Sequence, residues 1–260
     1  MKSLGLISAP LKNKTVFITG GGAGIGFATA KLFAKMEANV AINFFPGDVD
    51  SKKRVENLKK EFPNISLYPG DVSKENEVKK IILKVIHKYA QINFLINNVG
   101  IGLVKNPIPF ERLDLINDNF WDKIMKVNLM SAFYCSKVSE KYLKKNFGAI
   151  VNVTSISSNG KRGTSIPYAV SKGALKTLTS SLAKSFAPNV RVNAVSPGFT
   201  KSRMTSERSK SHINRMAKQT LLKRVAEPEE IAEIIFLLCV SGSYITGETI
   251  NVNGGHGYNY

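Results

Sequence analysis

Thr15-Val16-Phe17-Ile18-Thr19 runs directly into Gly20-Gly21-Gly22-Ala23-Gly24-Ile25-Gly26, and this stretch decides the fold. The first five residues are apolar or β-branched and read as a short buried strand. Five glycines in the next seven residues lead at once into a helical period over residues 25–36. Without a Cβ the backbone can turn sharply and approach a pyrophosphate, whose charge is then met by unpaired N–H groups at a helix N-terminus. A dinucleotide is therefore expected across this turn, in contact with Gly20, Gly22, Gly24, Ile25 and Gly26. An ordinary strand-to-helix turn needs one or two glycines rather than five.

Outward from this turn, strand-length apolar runs alternate with longer helical patterns. Strands are predicted at 15–19, 40–44, 65–68, 94–96, 150–154, 190–195 and 249–252, and helices at 25–36, 52–62, 75–89, 120–145, 167–186 and 228–238. That alternation predicts the α/β class: one doubly wound, parallel, seven-stranded sheet with helices on both faces, a Rossmann fold. The whole chain, 1–260, reads as one such domain, opened by a short lead at 1–12. Two long irregular stretches, 101–119 and 198–225, are expected to carry function.

Of 260 residues, 43% are hydrophobic, enough for a core, and no apolar run reaches the roughly 18 residues of a membrane span. With no leader pattern in the opening residues, a cytoplasmic location follows by default. The net charge of +18 would suit nucleic acid or an anionic substrate. Its lysines, however, are spread along helix faces (Lys52, Lys53, Lys59, Lys60, Lys79, Lys80), as a compositional bias would spread them, and no nucleic-acid partner is expected. Cys135 and Cys239 sit in apolar helical patterns and read as small buried hydrophobes. His87, His212 and His256 are scattered, so no metal site is expected.

An acidic residue at the tip of the second strand ordinarily accepts from the adenosine ribose hydroxyls. Here the tip reads Ile42-Asn43-Phe44-Phe45, with Phe44 placed against the coenzyme. Asp48 and Asp50 come later, and Lys52, Lys53 and Arg54 follow closely enough to face a 2′-phosphate. NADP is therefore favoured over NAD.

Tyr168 and Lys172 open a helix four residues apart, which puts phenol and ammonium on one face. A phenol of pKa about 10 is a poor proton-transfer group at neutral pH, but a neighbouring ammonium favours its phenolate. Ser155 follows the strand 150–154, at the carboxyl edge where ligands of a parallel sheet lie, and could polarise a carbonyl. Asn128 is a polar residue in mid-helix between Val127 and Leu129, where a buried amide needs a purpose.

Together these residues resemble the short-chain dehydrogenase/reductase family from about Lys14 to Gly255. The glycine motif is met by Thr19, Gly20, Gly24 and Gly26, and the Asp-Val element near the adenine by Asp71 and Val72. The Asn-Asn-Ala-Gly motif appears as Asn97-Asn98-Val99-Gly100, with Val for the usual Ala. Pro197 and Gly198 match the nicotinamide-side Pro-Gly, followed by Thr200 and by Ser202 in place of the usual Thr. The resemblance implies hydride transfer between the nicotinamide and a carbonyl or alcohol carbon. Tyr168 would be the acid-base group and Ser155 would orient the oxygen. Lys172 would hold the ribose hydroxyls and lower the Tyr168 pKa, while Asn128 would hold a water linked to Lys172. Asn98, Val99 and Gly100 join the coenzyme contacts, and a homotetramer built on the helices of Asn128 and Tyr168 is implied.

The pattern is most similar to the 3-oxoacyl-acyl-carrier-protein reductase branch, although Tyr134 stands where that branch carries an Arg for the carrier protein. A sugar, steroid or small-alcohol dehydrogenase is the alternative within the family, and a non-catalytic dinucleotide-binding regulatory module the alternative outside it. An enoyl reductase would have a longer Tyr-to-Lys spacing than four. The basic segment 199–225, with Lys201, Arg203, Arg208, Lys210, Arg215, Lys218, Lys223 and Arg224, is expected to form a lid over the substrate. The segment 101–119 is expected to add a wall to the pocket.

Overall fold

The computed structural model describes residues 11–102, 107–160, 163–201, 205 and 209–257. The expected lead therefore lies almost wholly outside the described residues. Strands β1 (Thr15–Ile18), β2 (Asn39–Phe44), β3 (Ile65–Pro69), β4 (Phe94–Asn97), β5 (Ala149–Val153), β6 (Arg191–Pro197) and β7 (Thr249–Val252) form one sheet. Its order is β3-β2-β1-β4-β5-β6-β7 and every pairing is parallel. The helices are α1 (Gly24–Lys35), α2 (Val49–Glu61), α3 (Glu75–Tyr89), α4 (Asp118–Met125), α5 (Ser131–Lys145), α6 (Ile166–Phe186), α7 (Lys210–Lys218) and α8 (Pro228–Val240).

Strand residues alternate between two cores. Val16, Ile18, Val40, Ile42, Ile96 and Val151 face α1, α2 and α8, whereas Phe17, Ala41, Leu95 and Ile150 face α3, α5 and α6. This is the period of two expected of a strand buried on both sides, and it explains why these strands read as continuous apolar runs. Phe33 of α1 ties the first core together, its ring 4.9 Å from Phe236 and 5.7 Å from Phe94.

After β3 the chain crosses back to place β4 on the other side of β1. The connections that leave the carboxyl ends of β1 and β4 therefore run in opposite directions, the switch point at which ligands of such sheets bind. The ends of β5 and β6 lie on the same edge, so Gly20, Asn98, Ser155 and Gly198 share one rim.

The structure departs from the sequence expectation at three places. The helix expected over 120–145 is two helices joined by a π-turn, Lys126–Met130. It begins at Asp118, where Asn117 accepts from the Phe120 N–H at 2.9 Å. Segment 198–225 is not irregular throughout: it contains α7, whose N-cap Ser209 accepts from the His212 N–H at 3.2 Å. Helix α2 begins at Val49 rather than Lys52, because Asp48 caps it through the Ser51 N–H. Among the described residues no helix is long and apolar enough to cross a membrane, and no cluster of three His, Cys, Asp or Glu side chains could hold a metal.

Candidate active site

The glycine turn is held open by the neighbouring strand. The Asn98 side-chain amide donates to the carbonyls of Thr19 and Gly20, each at 3.0 Å, and Thr19 Oγ1 accepts from the Asn98 and Val99 N–H groups at 3.1 and 3.2 Å. Gly20 and Gly24 sit at φ +63° and +52°, the left-handed region that favours glycine. A Cβ on Gly26 would come within 2.5 Å of the Gly20 carbonyl and the Asn98 amide, so Asn98 and Gly26 require each other.

The α1 N-cap is Ala23, which offers no side-chain acceptor, and the first turn carries no acidic residue. Its leading N–H groups are therefore left to an anion, and the turn fits a pyrophosphate. The Ile25 side chain is partly buried against the first core.

At the tip of β2 the Phe44 ring is buried in the core, and its carbonyl accepts from the Gly70 N–H at 3.1 Å. The side chain exposed at the tip is Phe45, 62% accessible. Asp71 accepts from Ser73 N–H and Oγ at 3.0 and 2.7 Å, while Val72 is buried beside it in the second core.

Gly198 lies so close to β7 that a Cβ would be 2.9 Å from Asn253 Cα. Pro197 ends β6, and Thr200 is buried, donating to the Gly198 carbonyl at 3.1 Å. Ser202, Arg203 and Arg208 lie outside the described residues.

The structure brings Ser155, Tyr168, Lys172 and Asn128 together. Ser155 caps a short 3-10 turn and accepts from Ser157 N–H and Oγ at 3.2 and 2.9 Å. Both interactions use its lone pairs, which leaves its proton free to turn toward the neighbouring Tyr168 phenol. Ser165, three residues before Tyr168, caps α6 by accepting from the Tyr168 N–H at 3.3 Å. Lys172 is buried, its Nζ donates to the Val153 carbonyl at 2.8 Å, and it stands 5.9 Å from the Tyr168 ring centre. A Cβ on Gly100 would lie 3.1 Å from that Nζ.

Burial lowers the Lys172 pKa to about 8. It also raises the Tyr168 phenol above its ordinary value, opposed by the Ser155 hydrogen bond. This differs from the expected lowering of Tyr168 by Lys172. Loss of water around the buried phenol is the larger effect, and the Lys172 ammonium points to the Val153 carbonyl.

Asn128 occupies the π-turn, almost fully buried. Its amide donates to the Ile101 carbonyl at 3.0 Å and to Ser171 Oγ at 3.1 Å, and its Oδ1 accepts from the Ile101 N–H at 2.8 Å. Both amide protons are thus engaged, and the side chain clamps Ile101 from both sides of its peptide unit. Asn128→Ala would take the partner from both the N–H and the carbonyl of partly buried Ile101 and from buried Ser171. A loss of about 3 kcal/mol of stability is expected, measured as a lowered melting temperature.

Sequence reasoning missed Ser157, Ser165, Ser171 and the Val153 carbonyl as supports of this site. The Ser165 cap was readable from its spacing to Tyr168 and from Pro167 in the first turn.

A parallel sheet with a phosphate-binding turn at its switch point and a Ser-Tyr-Lys group on the same rim defines a nicotinamide-dependent oxidoreductase. A family model described as enoyl-(acyl carrier protein) reductase matches residues 20–257. The 3-oxoacyl-(acyl-carrier-protein) reductase FabG of Thermotoga maritima is 34% identical, over 94% of this chain and 98% of its own length. Among solved structures, a short-chain dehydrogenase/reductase from Burkholderia xenovorans is 32% identical with a TM-score of 0.84, covering 93% of this chain and 97% of the other. The aldohexose dehydrogenase of Thermoplasma acidophilum is 25% identical with a TM-score of 0.80, covering 94% of each. The chain belongs to the short-chain dehydrogenase/reductase family.

Proposed function

We propose that the chain reduces a keto group with NADPH, in the manner of the 3-oxoacyl reductases it resembles. The observation that carries the reading is the convergence of Ser155, Tyr168 and buried Lys172 at the carboxyl edge of β5. When bound, the coenzyme supplies the hydride that reaches the carbonyl carbon. Tyr168, kept protonated by its burial, donates its proton to the carbonyl oxygen, and Ser155 donates a hydrogen bond to the same oxygen. Lys172 has one proton on the Val153 carbonyl, which leaves two for the ribose hydroxyls. Gly20, Gly22, Gly24, Ile25 and Gly26 hold the pyrophosphate. Asn98, Val99 and Gly100 line its nicotinamide side with Pro197, Gly198, Thr200 and Ser202, and Asp71 and Val72 line the adenine. Asn128 acts as a positioning residue through Ile101.

The four-residue interval from Tyr168 to Lys172 supports a keto rather than an enoyl substrate. The absence of a carboxylate at the β2 tip supports NADPH. Segment 199–225 is the lid. Its roots are joined by backbone bonds between Phe199 and Ala226 and between Lys201 and Ala226, at 3.1 and 2.9 Å. Lys201 pairs with Glu227, and Arg224 with Glu230 at 2.6 Å, so these two cations are partnered by the frame. Two buried free thiols suit a reducing, cytoplasmic compartment. Val170, 46% exposed on α6, suits assembly of a homotetramer through that helix.

The test is oxidation of NADPH by a 3-oxoacyl thioester beside a panel of ketones and sugars. Turnover of the thioester alone supports the reading. Turnover of sugars alone favours a sugar dehydrogenase, which Tyr134 and the likeness to the aldohexose enzyme support. Absence of turnover with every carbonyl would reject both.

A further inference from the structure

Helix α2 lies directly against the glycine turn. A Cβ on Gly22 would come within 2.4 Å of Ser51 Cβ and 2.5 Å of its Oγ, so only glycine allows the two segments to meet. From the next turn of α2, Arg54 reaches back and donates through Nε to the Gly22 carbonyl at 2.9 Å, with Nη2 3.5 Å from Ser51 Oγ. A guanidinium has five N–H donors in a fixed fork. Those two contacts leave three donors at the edge of the turn, on a side chain that is only partly buried.

The one carboxylate held close to Arg54 is that of Asp48, which reaches it only through the shared Ser51 hydroxyl. Asn43 is buried and donates to the carbonyls of Tyr68 and Gly70, each at 3.0 Å. Phe45, Pro46 and Gly47 carry no charge. The first carboxylate, Asp48, is turned onto Ser51, accepting from its N–H at 3.0 Å and its Oγ at 2.8 Å. The interior positions of the turn, Gly21, Gly22 and Ala23, bear no functional group, so a positive charge here must come from another element. Lys52 stands 3.9 Å from Glu56 on the outer face of α2, and Lys53 is exposed. Arg54 alone of the three touches the turn.

We propose that Arg54, delivered from α2 through the gap left by Gly22, selects a coenzyme bearing a phosphate monoester on its adenosine ribose. The proposal rests on reading the turn as a dinucleotide site and names the residue that sets its preference. A planar guanidinium matches phosphate oxygens in pairs, and the Gly22 carbonyl fixes the plane of the fork before the ligand arrives.

The experiment is titration of wild type, Arg54→Ala and Arg54→Lys with adenosine 2′,5′-bisphosphate, 5′-AMP, NADPH and NADH, with melting curves to confirm folding. In Arg54→Ala the two ligands carrying a 2′-phosphate should weaken on the order of 10- to 100-fold, while 5′-AMP and NADH change less than about twofold. Arg54→Lys should recover part of the loss, since it keeps the charge without the fork. Equal weakening of all four ligands would overturn the proposal, because Arg54 would then only shape the turn through Gly22. So would unchanged binding of all four. Failure of the wild type to bind any of them would instead remove the dinucleotide reading itself, and the proposal with it.

Discussion

Tyr168→Phe is expected to leave a folded protein that binds NADPH as tightly as the wild type and turns over about 10³-fold more slowly. The ring keeps its packing, since only the hydroxyl is removed, and Ser165 still caps α6 through the backbone of residue 168. The carbonyl oxygen then has Ser155 as its only donor. A serine hydroxyl polarises but does not protonate, so the developing alkoxide must find its proton from water. Measuring kcat by the fall in reduced-nicotinamide absorbance, with NADPH binding followed separately, distinguishes chemistry from binding. A kcat reduced less than about tenfold would show that the phenol is not the proton donor.

The second large effect is in pH. Burial holds the Lys172 pKa at about 8 against an ordinary 10.5, so kcat/KM for NADPH should fall about tenfold per pH unit above that value, as the ammonium that holds the ribose is lost. Stability should respond with the opposite sign. Between about pH 8 and 10.5 the unfolded chain binds this proton and the folded chain does not. The contribution of Lys172 to stability therefore rises across that window. Below it, burying the ammonium costs about 3 kcal/mol. Melting temperatures of wild type and Lys172→Met between pH 7 and 10, set beside the kcat/KM profile, test both arms. The window is absent from the idea if the profile of the wild type stays flat through pH 9.

The sheet and the reacting groups were legible because they are written in local pattern. Strand β1 and its glycines, and the four-residue interval from Tyr168 to Lys172, need no distant partner to be read. What escaped depends on partners far along the chain. Asn128 shows that a polar residue is buried in a helix, but its bonds go to Ile101, 27 residues away, and the π-turn that admits it has no composition of its own. At the tip of β2 the Phe44 ring turns into the core and the Phe45 ring stands outside, and two adjacent phenylalanines do not reveal that phase. Helix α7 was hidden by its polarity: it is short and amphipathic but strongly basic, with no fully buried residue, and so reads as part of a charged loop. Arg54 was legible as a nearby charge, whereas its reach to Gly22 follows from how closely α2 approaches the turn.

The two cysteines have a practical consequence. Cys135 and Cys239 are both buried, and burial raises both thiols, Cys239 to about 12. Neither forms a thiolate at neutral pH, so the wild-type chain is silent toward maleimide dyes. A single cysteine placed at exposed Lys210, at the start of α7, would carry the only attached dye, with no native cysteine to remove first. Stopped-flow emission from that probe would then time the arrival of coenzyme and substrate at the rim in an otherwise unaltered molecule.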